Sequence, residues 1–220
     1  MKTSLKPLGL AALTVALGFA SPLLAATPPA HAHAAAAATA SAQAPKLHAA
    51  MRALWHGHIV HAREYAMAVH AHNDAKARKA ADAVVANARQ IADAVGGFYG
   101  KPAGDQMMTL LGGHWGAVKA MTDARAKNDT AAADAAMAKL TSNAGEIAKF
   151  LAGANPNLPE DTVRGMLLAH GAHHSQQINL IDANDHAGEA REWTAMQAHM
   201  DSVADALAGA IAKQFPAKAS

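Results

Sequence analysis

Three histidines in this 220-residue chain, His58, His114 and His170, stand 56 residues apart. Their neighbours at helical steps are apolar: His58 follows Leu54 by four, and His114 lies between Leu110 and Val118. An imidazole on such a stripe is buried, and burying a polar group without a partner costs about 1–3 kcal/mol. Two kinds of partner fit the pattern. One is the residue opposite on the next helix: Asn87, Asn143 and His199, which share the 56-residue offset. The other is a shared ion. If the three units close around a common axis, His58, His114 and His170 face one another, and three imidazoles suit zinc or copper. Asn87, Asn143 and His199 then stand behind the ligands and orient their rings.

Two local pairs extend the set. His170 and His174 are one helical turn apart, with His173 beside them, and His58 and His61 are three apart on a segment that also carries His56. Pairs at this spacing chelate a metal from one helix face. The candidate ligands are therefore His58, His61, His114, His170 and His174. Met51, Met107 and Met108 follow the apolar stripe and read as packing. Methionine and histidine without cysteine still form a donor set compatible with copper, which places copper slightly ahead of zinc. His70, His72 and His186 fall near turns and read as solvated.

Other chemistries lack their motifs. There is no His-Glu-x-x-His, no Gly-x-Ser-x-Gly, no phosphate-binding glycine loop and no Glu-x-x-His. With no cysteine, thiolate catalysis, cysteine zinc sites and covalent c-type haem attachment are excluded. The question of an enzyme stays open only through a bound metal.

These side chains need elements to place them. Beyond the histidines, whole columns recur at the offset of 56: Val84, Leu140 and Met196; Ile91, Ile147 and Val203; Val95, Leu151 and Leu207; Gly97, Gly153 and Gly209. Alanine dominates, with Lys, Arg, Gln, Leu and Met, all good helix formers. Apolar residues recur at three and four, and nothing alternates with period two. The spacing predicts helices at about 46–71, 75–95, 105–126, 130–152, 160–183 and 187–214. An all-α bundle of six helices follows, built from three tandem antiparallel hairpins. Asn73-Asp74, Asn128-Asp129 and Asn184-Asp185 supply each turn and the following N-cap. The first pair sits one residue late relative to its histidine, so the first turn is expected to absorb a one-residue shift. Each repeat histidine and its opposite number lie ~20 Å from the turn, hence at one level.

Residues 1–26 read as a secretory signal peptide: Lys2 and Lys6, an apolar run from Leu8 to Ala20, then Ser21-Pro22 and small residues. Residues 27–45 form an Ala/Pro-rich disordered linker, and 46–216 the helical domain. Lys2 and Lys6 account for the excess of 19 basic residues over 17 acidic ones. The remainder has no net formal charge and no basic face for nucleic acid. No later segment is apolar enough for a membrane span.

The core from about residue 50 to 216 resembles a group of uncharacterised exported bacterial helical-bundle proteins. The carrying residues are Leu54-Trp55, His58 and Arg63, then Asn87 to Ile91, Phe98-Tyr99-Gly100, Leu110-Leu111 with His114, Asn143 through Ile147 and Leu151 to Asn155-Pro156, His170, and Gln214-Phe215-Pro216. The resemblance implies the fold and export to the periplasm or beyond, and carries no activity. Where that group has acidic residues before the first histidine, this chain has His56 and Gly57; the group's late histidine corresponds to Gln197, whereas the internal repeat points to His199. The ligand set is thereby shifted toward imidazole.

The expected function is a periplasmic or secreted protein binding copper or zinc, as a buffer or carrier. The alternative is a ligand-free interaction or stress-protective module whose His–Asn pairs fix the register of the hairpins. A third possibility is a pH-responsive bundle, because buried neutral histidines favour unfolding as pH falls.

Overall fold

The computed structural model describes residues 44–219, so the expected signal peptide and nearly all of the linker lie outside the described residues. Six helices account for most of the described chain: α1 Pro45–His70, α2 Asp74–Tyr99, α3 Lys101–Arg125, α4 Thr130–Ala154, α5 Glu160–Asp182 and α6 His186–Gln214. No strand occurs among the described residues, and no helix is long and apolar enough to cross a membrane.

The helix ends follow from local chemistry. Asn73, Asp129 and Asp185 cap α2, α4 and α6, each accepting the main-chain N–H three residues on. The residue before each cap is left-handed: His72, Asn128 and Asn184, with φ of 51°, 57° and 56°. The cap N–H then reaches back five residues to a carbonyl of the preceding helix, at Ala68, Ala124 and Leu180. All three turns are thus in register at an offset of 56, and the expected one-residue shift in the first is absent. What moves is the chemical label. In the first turn a histidine occupies the left-handed position and asparagine is the cap. In the other two, asparagine is left-handed and aspartate caps. His, Asn and Asp all tolerate positive φ better than other side chains, so the exchange is conservative in backbone terms. Between α2 and α3 the only non-helical residue is Gly100, at φ 91°, and both helices run closer to it than the periodicity predicts.

Packing closes the helices into a ring. Each helix lies against the next in sequence, and α1 lies against α6. The odd helices α1, α3 and α5 also touch one another, so they form an inner triangle with α2, α4 and α6 outside. Two side-chain bridges tie the closing seam. Asp205 on α6 accepts from Arg52 Nε at 2.9 Å and meets His48 Nδ1 at 2.8 Å, both on α1. Glu189 on α6 accepts Arg63 Nε and Nη2 at 2.6 and 2.7 Å and Gln177 Nε2 at 3.1 Å.

The core is two apolar clusters. One contains Trp55, Ile59, Ile91, Leu111, Ile147, Leu167 and Met200; the other, nearer the turns, contains Tyr65, Val84, Trp115, Met121, Leu140 and Ile178. Met51 and Met107 are buried in the first cluster, with Met108 packed against it. The repeat histidines fall in sequence at the boundary between the two.

Candidate metal centre

At that boundary the inner triangle brings four imidazoles together. His58 of α1, His114 of α3, and His170 and His174 of α5 each offer a ring nitrogen, and these nitrogens all lie within 4.8 Å of one another. The four residues are 1–4% exposed. Ring centroids are 5.4 Å apart for His58–His114, 5.6 Å for His58–His170 and 5.3 Å for His114–His170. His174 lies 5.8 Å from both His58 and His114 and 4.4 Å from His170. Four imidazoles bound tetrahedrally at 2.0–2.1 Å would hold ring centres roughly 5 Å apart. The observed spacing brackets that value.

The hydrogen bonding of the cluster is incomplete. His174 Nε2 and His170 Nε2 are 3.1 Å apart and share a proton. Both ring nitrogens of His58, Nε2 of His114 and Nδ1 of His170 are buried with no partner. Orphans at this density are exceptional in a folded core. Their electrostatics match a ligand role. Burial, with repulsion from His114 and His61, pushes His58 down to about 3, and burial pushes His114 down to about 4, partly opposed by the Asn143 side chain. His170 and His174 are held well below the ordinary range by burial and then by neighbouring imidazoles. All four are neutral at pH 7, with a lone pair free to bind an ion. No carboxylate belongs to the cluster.

The residues opposite the histidines do something the sequence does not spell out. Asn87 Nδ2 donates to the Leu54 carbonyl at 3.0 Å, and Asn143 Nδ2 donates to the Leu110 carbonyl at 3.0 Å. His199 Nε2 meets the Met166 carbonyl at 3.0 Å. In every hairpin, then, the outer helix braces the inner one at the main-chain oxygen one turn before the repeat histidine. The amide oxygens of both asparagines are left without partners. Close approach explains two glycines. A Cβ on Gly57 would stand 2.9 Å from Asn87 Nδ2, and one on Gly113 3.1 Å from Asn143 Nδ2. In the third hairpin the equivalent residue is Ala169, and the longer imidazole of His199 replaces the amide.

Of the five candidate ligands, four meet. The fifth, His61, points away and pairs with Glu64 of its own helix at 3.0 Å, its side chain 33% exposed. A signal for this difference exists in the repeat. The position four after each repeat histidine is Ala62, Val118 or His174, and all three are buried. That apolar column marks His174 as facing inward, whereas His61 stands in the neighbouring column. Outside the cluster, His56, His72 and His186 are exposed, and His70 Nε2 meets Asn184 Oδ1 at 3.0 Å. His173 pairs with Glu192 and lies beside His199.

No protein-family model, no curated protein and no solved structure matches the chain.

Proposed function

We propose that this protein is an exported metal-binding protein that holds one copper or zinc ion between His58, His114, His170 and His174, in a buffering or carrying role. The observation that carries the reading is four buried neutral imidazoles whose ring nitrogens converge while several lack any partner. An ion would accept one lone pair from each of the four rings at once. His170 and His174 already hold their Nε2 atoms 3.1 Å apart, close to the roughly 3.3 Å edge of a tetrahedral site with 2.0–2.1 Å bonds.

The donor set supports a non-catalytic role. Four protein ligands complete a tetrahedron, whereas catalytic sites keep a position open for water or substrate. It also supports copper over zinc. With no anionic ligand, the whole ionic charge is buried, and the cost of burying charge rises with its square. Monovalent copper is therefore accommodated more readily than a divalent ion, and imidazole suits both metals. Export rests on the N-terminal pattern of Lys2, Lys6 and the apolar run that follows. A ligand-free role for the cluster is disfavoured by the orphaned nitrogens, because a purely structural polar layer is expected to satisfy itself.

The test is stoichiometry. Protein purified from its own compartment should carry close to one equivalent of copper or zinc by elemental analysis, and His114→Leu should carry much less. Metal-free native protein, together with unchanged affinity in His58→Leu and His114→Leu, would sink the proposal.

A further inference from the structure

The four-imidazole cluster is sealed from solvent, so an ion must have a way in. The third hairpin departs from the other two along one file of side chains. Glu192 occupies the place of Ala80 and Ala136, His199 that of Asn87 and Asn143, and His174 that of Ala62 and Val118. His173 takes the place of buried Ala117 and of His61, which bonds within its own helix. These four side chains, three of them replacements found only in this hairpin, are contiguous in space. Glu192 Oε1 lies 2.5 Å from His173 Nδ1, with side chains 16% and 24% exposed. The His173 and His199 rings are 5.1 Å apart, and His199 stacks within 13° of His170 at 6.5 Å. His170 and His174 follow, in the cluster itself.

The proton positions suit metal exchange. A carbonyl only accepts, so His199 carries its proton on Nε2, toward Met166, and Nδ1 keeps its lone pair. Glu192 accepts from Nδ1–H of His173, which leaves Nε2 of His173 as a donor to metal. We propose that His173 and His199 form a second, solvent-accessible metal site, positioned by Glu192, through which copper or zinc is loaded into and withdrawn from the buried cluster. Two imidazoles leave coordination positions for water or for the ligands of a delivering molecule, as a transient site requires. The ion passes on without change of oxidation state. As it reaches the cluster, the proton between His170 Nε2 and His174 Nε2 moves to the free Nδ1 of His170, so both rings stay neutral and each presents an Nε2 lone pair.

This inference rests on the four-imidazole reading, and kinetics separates the two. Copper(I), and separately zinc, would be presented on a chromophoric chelator and then withdrawn by excess chelator, for the wild type, His173→Ala, Glu192→Gln and the double variant Ala169→Gly/His199→Asn. The double variant installs the asparagine brace of the other hairpins and so preserves the fold while removing the imidazole. Each variant should retain one ion at equilibrium, with affinity within about threefold of wild type. Loading and removal should both slow tenfold or more, by the same factor, since a path serves both directions. Unchanged rates with metal bound overturn the loading path alone. Loss of equilibrium affinity in His173→Ala, with its fold intact by circular dichroism, also overturns it, by making His173 part of the final site. A wild type that takes up neither ion overturns both readings.

Discussion

Replacing His58 by leucine should have opposite effects with and without metal. His58 is 3% exposed and both of its ring nitrogens lack partners. In the metal-free protein those groups have lost water and gained nothing, a deficit of about 1–3 kcal/mol each. Leucine has comparable volume and no polar atom, and repacking it between Trp55, Ile59 and the other rings costs less than about 1.5 kcal/mol. With about 1 kcal/mol taken for repacking, the metal-free variant should be more stable than the wild type by roughly 1–5 kcal/mol. For a domain of this size that is a rise in Tm of roughly 2–20 °C. With free metal at 1,000 times its dissociation constant, the wild type gains about 4 kcal/mol by mass action. The variant, with one ligand fewer, gains much less, and the order of stability inverts wherever the metal-free difference is smaller than the difference in gain. The assay is thermal unfolding followed by circular dichroism, with chelator and with saturating copper or zinc. If the variant is less stable than wild type in chelator, the imidazole is held by interactions that the argument denies. An equal rise in Tm for both proteins on adding metal would refute the site.

The remaining predictions concern pH and the braces. The four cluster histidines have folded-state values below the unfolded value of about 6.5, about 3 for His58 and about 4 for His114. The unfolded chain therefore binds more protons in that window, and stability is complete above about pH 6.5 and falls as pH is lowered through it. Four such groups give a slope of roughly 5 kcal/mol per pH unit at most, so the metal-free protein should unfold between about pH 4 and 5.5. A Tm that stays flat from pH 7.5 to 5 would contradict the burial of neutral imidazoles. Below that range Glu189, whose carboxyl is held under its usual value first by Arg63, adds a loss of the same sign. Gly57→Ala should displace the Asn87 amide from the Leu54 carbonyl and cost about 1 kcal/mol net, whereas Gly112→Ala, exposed and with open space at its Cβ, should stabilise by up to about 1 kcal/mol. Urea denaturation midpoints would rank the two, and equal shifts would remove the brace as an explanation for Gly57.

The fold class, the six helices and the equivalence of His58, His114 and His170 are legible in the chain because each is carried by a periodic pattern, whereas their convergence depends on closure of the ring, which a repeat leaves open. Apolar residues at three and four give helices, and the repeat of 56 identifies equivalent positions. The separate behaviour of His61 and His174 is harder to read. On an isolated helix, three and four residues ahead of a buried histidine lie about equally close to it. Comparing columns across hairpins breaks the tie, since Ala62 and Val118 show which side faces inward. The braces are hidden for a different reason. Asn87 and Asn143 bind main-chain oxygens, which every residue possesses, and only Gly57 and Gly113 hint at the close approach. The seam pairs of Arg63 with Glu189 and of His48 and Arg52 with Asp205 join residues more than 120 positions apart, and no local spacing announces them.

The α1–α6 seam gives the bundle a cyclic topology on a linear chain. Helices distant in sequence are neighbours there, so the contacts that close the ring span nearly the whole domain and carry a loop-closure entropy. The cluster draws on all three hairpins, and two hairpins alone cannot assemble it. Ion capture at the proposed site would therefore report completed closure of the ring. Because Pro45 starts α1 and Gln214 ends α6 on adjacent antiparallel helices, any of the three hairpins can serve as the first. A chain circularly permuted at Gly100 or at 155–159 would retain the same neighbours and the same four imidazoles.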